Sequence, residues 1–474
     1  MNASRRQFLR AGTGLMAAAA DPLGVGLNAP LALSLAGLGA MAATGAEAAD
    51  TGGYKALVCL FMAGGSDQHN WIVPMDSGGY AAYAQVRQDL AWPQAKLLPI
   101  ASTTQASGRA FGMPLELQPL QALYQAGQCA VVANVGPLER PIALADFVAG
   151  VNLPRKLFSH NDQQSTWQSL SPEGARSGWG GRMGDAFAAA NQYPAFTAVS
   201  AAGNAVFLTG GNVTQYQIGT DGPLAMSALG TTWFNGSQNV GATLANLLKT
   251  TGSGIYQGQY SRIVQRSIDT TATLRTALAG TSIPALPTAA IALPGGGSLS
   301  LAQEALAKQL RIVAQLIAAA PGLGMRRQVF MVQVSGFDSH SNQMRDQPLL
   351  MARVANSVAW FYNAMNGIGQ GSNVTLFTAS DFGRTLVSNG DGSDHGWGSH
   401  HLVVGGAVKG KNIYGDFPVT ALGTATDVGS GRLLPTTAVA QLAGSLGAWM
   451  GLSATELNTA LPTLGNFGAG PALF

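Results

Sequence analysis

The feature that most constrains the fold is an alternation between short apolar, strand-like runs and longer segments with helical periodicity. The strand-like runs are residues 55–65, 128–135, 195–208, 328–334, 373–378 and 401–404. Apolar runs of this length are typical of strands buried on both faces, as in parallel sheets that are covered by helices. The pattern therefore predicts an α/β fold with a mostly parallel central sheet.

Helical periodicity is expected in residues 301–320, 348–365 and 436–450, with Ser300 placed as the N-cap of the first helix. Residues 280–298 are rich in proline and glycine, which is typical of a surface loop or linker. The stretch before them is polar and less regular. We interpret residues from about 210 to 298 as an insertion or cap on the main domain.

The first fifty residues have a different character. Arg5 and Arg6 are followed by Phe8, Leu9 and a weakly hydrophobic stretch, and residues 46–48 offer small side chains for cleavage. This is the pattern of a twin-arginine export signal, which we assign to residues 1–49. The mature chain is then expected in the periplasm or outside the cell, with the twin-arginine translocase as its partner during export.

Retention of residues 23–44 as a membrane anchor is the alternative. That stretch contains Asn28, Pro30 and several glycines, so it makes a weak span. We therefore expect no stable membrane span in the mature chain.

Charge and cysteine content narrow the classes further. The chain has 26 Lys and Arg against 23 Asp and Glu, and it has no dense basic cluster, which argues against a nucleic-acid partner. Cys59 and Cys129 both lie in apolar runs. We expect two buried free thiols, and a single disulfide between them stays open in an oxidising compartment.

The histidines are concentrated in short polar segments, most of which follow predicted strands. The polar side chains of these segments are Asp67, His69 and Asn70; Asp338, His340 and Asn342; Asp381 and Arg384; Asp394, His395, His400 and His401; and, in a separate segment, Ser159, His160 and Asp162. In parallel sheets, ligands bind beyond the carboxyl ends of the strands. Carboxylates and neutral imidazoles are the donors that borderline divalent metals require. The pattern predicts a metal or polar catalytic site there, and the alternative is a set of loop ends pinned by structural polar networks.

Six segments carry a resemblance to a known family. They read LFMAGGSDQHNWIVP, LFSHNDQQSTWQ, GWGGRMGD, VSGFDSHSNQ, FTASDFGRT and DHGWGSHHLVVGGAVKG. In this order, and after a twin-arginine signal, they resemble domain-of-unknown-function family 1501 (DUF1501), which looks like a branch of the alkaline phosphatase/sulfatase superfamily. The resemblance spans most of residues 54–450. It implies an alkaline-phosphatase-like α/β/α sandwich over residues 50–474.

The resemblance also implies two metal sites and a Ser, Thr or modified Cys nucleophile at a helix N-terminus. The ligands carried over onto this sequence are Asp67 after the first strand, Asp338 and His340 for one metal, Asp381 for the other, and His395, with His400 as a second late histidine. The implied catalytic residues are Ser159 as the nucleophile, its neighbour His160, and Arg384 to steady negative charge on the substrate.

Several positions depart from the superfamily pattern. Asp338 and His340 stand closer together than is usual, and Phe382 follows Asp381 where a histidine is usual. One metal site, or none, is therefore an alternative to two. Ser165 and Thr166 stay open as nucleophiles. The absence of a sulfatase-type Cys argues against a formylglycine-dependent sulfatase.

The resemblance implies an exported, metal-dependent hydrolase of a phosphate or sulfate ester. Its cofactor would be one or two divalent ions of Zn, Mn, Ca or Mg, and its substrate would be a small-molecule or glycan ester. The alternative is a non-catalytic periplasmic binding or assembly protein that keeps the fold with a degraded site. A transferase that moves a phosphate-bearing headgroup is a third hypothesis.

Overall fold

The computed structural model describes residues 49–223, 229, 239–250 and 254–474. The export signal predicted at residues 1–49 lies outside them, apart from Ala49. The described residues belong to one unit, Ala49–Phe474. Within these residues, we find no helix with the length and apolarity needed to cross a membrane.

The strands of the described residues are defined first. They are β1 (Lys55–Ala63), β2 (Val73–Pro74), β3 (Leu97–Ile100), β4 (Phe111–Pro114), β5 (Cys129–Gly136), β6 (Ala198–Ser200), β7 (Tyr216–Gly219), β8 (Gly222–Pro223), β9 (Ile291–Ala292), β10 (Ser298–Leu299), β11 (Arg327–Ser335), β12 (Val374–Ser380), β13 (Arg384–Ser388), β14 (Ser393–His395), β15 (Ser399–Gly405), β16 (Ile413–Tyr414) and β17 (Thr437–Ala438).

The α-helices lie between and after these strands. They are α1 (Ser77–Arg87), α2 (Gln118–Gln125), α3 (Leu144–Ala149), α4 (His160–Ser169), α5 (Trp179–Phe187), α6 (Val240–Lys249), α7 (Ile255–Ala279), α8 (Ala305–Ala319), α9 (Gln343–Gly367), α10 (Val439–Met450) and α11 (Ala454–Ala460).

The central sheet has the strand order β16-β5-β15-β12-β1-β11-β6-β7-β8, with β17 also paired to β5. Strand β1 pairs in parallel with both β11 and β12, and β6 continues the parallel set on β11. Strand β15 is antiparallel to both its neighbours, β12 and β5. The sheet is therefore mostly parallel, as the apolar runs predicted.

Strand β1 shows how helices cover both faces, because its side chains alternate between two hydrophobic cores. Ala56, Val58, Leu60 and Met62 pack in one core with residues of α8 and α9. Leu57, Cys59 and Phe61 pack in the other core with residues of α5 and α10. The predicted α/β class, with a mostly parallel sheet between helical layers, is confirmed. Cys59 and Cys129 are buried and free, as expected.

Several predicted boundaries were wrong. Only Ala198–Ser200 of the run 195–208 is a strand, because one-turn 3₁₀ helices flank it. Ser300 is not an N-cap, since residues 301–304 form a turn and Glu304 precedes helix α8. The described part of residues 210–270 is more regular than its composition indicated, because α6 and most of α7 lie there.

Helix α5 supports the helix before it. Trp179 Nε1 donates a hydrogen bond of 2.9 Å to the carbonyl oxygen of Trp167 in α4. The glycines of α5 allow it to approach the chain at residues 206–210, because a Cβ on Gly181 would lie 2.1 Å from the carbonyl carbon of Thr209. At Gly184 the nearest atoms are side-chain carbons at 3.5 Å. The two glycines therefore differ sharply in what they tolerate.

We expect Gly181→Ala to lower the free energy of unfolding by about 1–3 kcal/mol, because its methyl group would overlap a backbone that cannot move aside. Gly184→Ala is the matched control on the same helix. It should be neutral or stabilise by up to about 1 kcal/mol, because alanine is the better helix former. Urea denaturation of both variants measures the difference, and equal stabilities would contradict this packing.

Candidate metal centre

The parallel pairing of the central strands brings their carboxyl ends to one edge of the sheet. Ala63 of β1 lies opposite Ser335 of β11, and Met62 lies opposite Ser380 of β12. The turn after β1 needs glycine at position 64, where φ is +116° and a Cβ would lie 2.4 Å from the backbone nitrogen of Asp338. The segments that carry Asp338 and Asp381 therefore flank the end of β1.

His160 begins helix α4 and is held by a buried carboxylate. Its Nδ1 lies 2.6 Å from Oδ2 of Asp381, an oxygen that also accepts a hydrogen bond of 2.8 Å from Gln164 Nε2. The other carboxylate oxygen of Asp381 accepts from the backbone N–H of Gly64 at 3.1 Å. Because a carboxylate only accepts, the Nδ1 proton of His160 points at Asp381 and its Nε2 faces Asp338, 3.5 Å from Oδ2.

His395 ends strand β14 and is oriented by a backbone carbonyl. Its Nδ1 donates to the carbonyl oxygen of Phe158 at 2.7 Å, which leaves a lone pair on Nε2. That Nε2 lies 3.4 Å from Asp338 Oδ1. Burial lowers the pKa of His395, and the charge of Arg384 contributes in the same direction. The ring is therefore neutral at neutral pH, which is the form that binds metals.

His340 follows β11 and points its Nε2 at the same place. Its Nδ1 lies 3.1 Å from Oδ1 of Asp394, and its Nε2 lies 3.1 Å from Asp338 Oδ1 and 2.9 Å from Nε2 of His395. The hydrogen bond from Asn389 lowers the pKa of Asp394, and His340 adds to this effect. A ring that donates from Nδ1 to Asp394 presents a bare Nε2 to the lone pair of His395. Such a contact is stable when a cation or an added proton lies between the two nitrogens.

Three imidazole Nε2 atoms and one carboxylate thus converge, and each Nδ1 faces an oxygen that fixes its ring. The ligand atoms of His160, Asp338 and His395 all lie within 4.8 Å of one another. A tetrahedral ion with donors at about 2.0–2.2 Å places them about 3.3–3.6 Å apart. The contacts that join His340, His395 and Asp338 Oδ1 are 2.9–3.4 Å, and His160 Nε2 lies 3.5 Å from the other carboxylate oxygen, Oδ2. Outer oxygens that orient ligand histidines are typical of metal sites. The residues therefore fit a divalent metal.

Arg384 holds Asp338 and does not face solvent. Its side chain is fully buried, and its Nη1 donates to Asp338 Oδ1 at 2.8 Å and to the carbonyl oxygen of Gly64 at 3.1 Å, while Nη2 donates to the carbonyl oxygen of Ser393. Partial burial raises the pKa of Asp338, but the hydrogen bond and charge of Arg384 outweigh this effect and lower it overall. Arg384 therefore positions Asp338, and the structure does not support its predicted contact with the substrate.

Asp67 and Asp381 do not offer free carboxylates as predicted. Asp67 is buried in an ion pair with Arg87 of helix α1, and the same oxygen accepts a hydrogen bond from Gln343 Nε2. The two oxygens of Asp381 accept hydrogen bonds from His160, Gln164 and Gly64. In this structure Asp67 is a structural ion-pair partner, and Asp381 orients His160 from behind.

His400 and the predicted nucleophile also lie elsewhere. The His400 ring is buried, stacks on Phe417 at a centroid distance of 4.3 Å and accepts the backbone N–H of Asn134. Ser159 donates its hydroxyl to Asp162 Oδ2 at 3.0 Å. The hydroxyls of the two alternatives, Ser165 and Thr166, donate to backbone carbonyls within and after α4. None of these three hydroxyls is directed at the histidines.

Apart from Asp381, which was predicted as a ligand, the groups that position the histidines were given no role from the sequence. The Phe158 carbonyl and Gln164 have no signal in a single sequence, because a backbone oxygen or a helical glutamine is ordinary anywhere. Asp394 was noted as polar, but its place behind His340 depends on the hairpin of β13 and β14. Phe382 packs its ring against His160 and His395, with centroid distances of 4.9 and 4.6 Å.

A family model described as "Protein of unknown function (DUF1501)" matches residues 241–459. The predicted resemblance to this family is confirmed over these residues. They include Asp338, His340, Asp381 and His395, while His160 lies before them. A comparison with curated proteins gave no match.

Comparison with solved structures gave alignments that cover most of the chain at low similarity. Ps i-CgsB in complex with k-i-k-neocarrahexaose shares 11% identity with a TM-score of 0.35, covering 86% of this chain and 74% of that one. The PsFucS1 sulfatase from Pseudoalteromonas sp. shares 8% with a TM-score of 0.33, covering 86% and 70%. The lipoteichoic acid synthase LtaP from Listeria monocytogenes shares 8% with a TM-score of 0.29, covering 84% and 72%. At these TM-scores the likeness carries no argument about function.

We expect Asp381→Asn to weaken zinc binding by about 10–100-fold, because the amide no longer fixes the Nδ1 proton of His160. Titration of the metal-stripped mature chain against a chelating dye measures the affinity. Asp221→Asn is the control, since that side chain is 96% exposed. Unchanged affinity in Asp381→Asn would contradict the orienting role of this carboxylate.

Three histidines outside the centre are buried, and burial changes their titration. It lowers the pKa of His69 to about 4 and that of His401 to about 3, and it also lowers the pKa of His400. His69 Nε2 donates to the carbonyl oxygen of Arg384 at 3.2 Å, so it supports the segment that carries the guanidinium.

Because the folded pKa of His69 is lowered, the unfolded chain binds more protons below pH 6.5, and stability is lost as the pH falls from about 6.5 to about 4. We expect His69→Gln to lose about 2 kcal/mol less than the parent between pH 7.5 and 5.0. Urea denaturation of metal-stripped protein at both pH values tests this, and equal losses in the two proteins would contradict it.

Proposed function

We propose that this chain is an exported, metal-dependent hydrolase of a phosphate or sulfate ester. The observation that carries the proposal is the convergence of three imidazole Nε2 atoms and the Asp338 carboxylate at the carboxyl edge of the sheet. A bound divalent ion in such a site supplies Lewis-acid polarisation of an ester oxygen and a lowered pKa for water. His160, His340, His395 and Asp338 would hold it.

The site is open enough for an ester on a large molecule. The side chains of His340 and Asp338 are each 46% exposed, and that of His160 is 30% exposed. A phosphate or sulfate group on a small molecule or a glycan can therefore approach from solvent without a conformational change. Phe382 and the buried Asp381 and Arg384 form the inner wall, which keeps the donor side chains in one arrangement.

Water is the attacking group that suits these residues best. The hydroxyls of Ser159, Ser165 and Thr166 are engaged elsewhere, as described above. In the proposed reaction the oxygen of water bonds to phosphorus or sulfur, the ester bond breaks, and the alcohol leaves with one of the protons of water. His160 stays in one orientation throughout, because its Nδ1–H remains hydrogen-bonded to the Asp381 carboxylate.

Export and domain organisation are part of the proposal. The twin-arginine signal at residues 1–49 would deliver the folded chain through the twin-arginine translocase to the periplasm or outside the cell. Residues 50–474 would form the catalytic domain. The insertion at about 210–298, which includes α6 and α7, would form a cap on that domain.

We expect the mature chain to hydrolyse p-nitrophenyl phosphate or p-nitrophenyl sulfate in the presence of zinc or manganese. Asp338→Asn and His395→Ala should each lower turnover by at least about 100-fold, because the first removes the negative charge of a donor and the second removes a donor nitrogen. Asp221→Asn serves as the control for a carboxylate change at the surface. Equal turnover by the parent and both site variants would contradict the proposal that these residues form a catalytic metal site.

The same experiment separates the second candidate function. The packing of Phe382 against two histidines, and the lack of a directed hydroxyl among Ser159, Ser165 and Thr166, favour a binding or assembly protein that keeps a metal without turnover. Metal binding with no release of product from either ester would support it. Product release that requires an added acceptor alcohol would instead support a transferase.

A further inference from the structure

We propose that the centre holds a single ion of the zinc or manganese class, and that the Arg384 guanidinium is a built-in cation in the oxygen-lined position beside it. The inference rests on the metal centre of the proposed function, but it does not depend on hydrolytic activity. It assigns the number of ions, their chemical class and a role for Arg384.

The surroundings of Arg384 resemble the donor set of a hard cation. The three oxygens that accept from its guanidinium are the Asp338 carboxylate, the Gly64 carbonyl and the Ser393 carbonyl. They come from three separate segments, after β1, after β11 and in β14. Carboxylate and backbone carbonyl oxygens are the ligands that Ca²⁺ takes, and Mg²⁺ is also bound through oxygen. Here a fixed and permanently charged side chain fills that position.

The other carboxylates near the edge have protein partners, although the buried Oδ1 of Asp67 accepts no hydrogen bond. Asp381 accepts from Gly64, His160 and Gln164, and Asp67 is paired with the buried Arg87. A second ion at Asp381, or at the paired oxygen of Asp67, would have to displace one of these partners and would leave a buried polar group without compensation. The other oxygen of Asp67 is buried next to the Arg87 guanidinium, whose positive charge repels a cation there. The remaining donors are the three Nε2 atoms and the Asp338 carboxylate, which suffice for one ion.

The chemistry of these donors selects the ion. Three imidazole nitrogens and one carboxylate suit zinc, manganese and other transition metals, whereas Ca²⁺ and Mg²⁺ prefer oxygen ligands. The guanidinium also repels a further cation at the Gly64 and Ser393 carbonyl oxygens, because it already occupies both of them. Ca²⁺ and Mg²⁺, which the sequence left open, are therefore not the resident ions in this proposal.

The first test counts ions directly. The mature chain is stripped with a chelator, reloaded separately with zinc, manganese, magnesium or calcium, freed of unbound metal and analysed for its elements. One zinc or manganese per chain, with no magnesium or calcium retained, is the expected result. Two ions per chain, or retention of calcium or magnesium in place of zinc, would overturn the proposal.

The second test removes the guanidinium. Arg384→Ala should weaken zinc binding by at least about tenfold, because Asp338 loses the partner that orients it. Free guanidinium ion, at a concentration well below that which unfolds the chain, should restore part of the affinity, and the same concentration of neutral urea should not. Arg384→Lys should be intermediate, because an ammonium cannot bridge three oxygens as a planar guanidinium does.

Arg327→Ala is the matched control for loss of a buried arginine. Arg327 begins β11 at the opposite end of the strand from Asp338 and donates to the carbonyl oxygens of Met450, Gly53 and Asp50. Its loss should lower stability and leave zinc affinity unchanged. Equal responses of Arg384→Ala to guanidinium and urea, or parental zinc affinity in that variant, would overturn the role of Arg384.

The outcomes separate this inference from the proposed function. A chain that binds one zinc and hydrolyses no ester would overturn the hydrolase and leave the single-ion centre standing. A chain that hydrolyses esters with two bound ions would do the reverse. If Arg384→Ala fails to fold, the ion count of the parent and the affinity of Arg384→Lys still decide the matter.

Discussion

The parallel pairing of β1 with β11 and β12 is the constraint on which the rest of the site depends. Because the three strands run in the same direction and in register, the turns after them share one edge of the sheet. Gly64 then occupies the centre of that edge. Its N–H binds Asp381, its carbonyl binds Arg384, and its lack of a side chain leaves room for the backbone of Asp338. A larger residue at this position would separate the groups that support the histidines.

The oxygens that bind the Nδ1 atoms determine which nitrogen of each histidine is free to bind a metal. An imidazole binds metal through a nitrogen that carries no proton, so the position of the other proton decides whether Nε2 is usable. Asp381, Asp394 and the Phe158 carbonyl each accept a hydrogen bond from the Nδ1 of one histidine. These three groups come from different parts of the chain. The chemistry of the centre is therefore set by residues that would not themselves touch an ion or a substrate.

The sequence predicted the sheet and its polar edge well. It predicted the individual ligands less well, because a sequence does not show the direction in which a side chain points. Continuous apolar runs at β1, β11 and β12 specify buried parallel strands, and polar residues directly after such strands must lie at their common edge. Whether a given side chain faces the site depends on partners from distant elements. Asp67 forms an ion pair with Arg87 of α1. The register of β15 against β5 buries His400 beside Asn134 and Phe417. Neither partnership can be read from local sequence. The helices at 240–279 were missed because their stretch is rich in residues that are common in loops.

A fixed guanidinium and an exchangeable ion stabilise the same carboxylate in different ways. Arg384 reaches Asp338 from the buried side and is present as soon as the chain folds, so Asp338 does not wait for a metal to be oriented. The three rings are likewise fixed through Nδ1 by protein oxygens. Protein groups therefore orient all four of the proposed donor side chains. His340 Nε2 and His395 Nε2 lie 2.9 Å apart, and in the proposed centre the single ion would bind both nitrogens. In that proposal the guanidinium of Arg384 would occupy the oxygen-lined position beside the ion, where a second ion would otherwise bind.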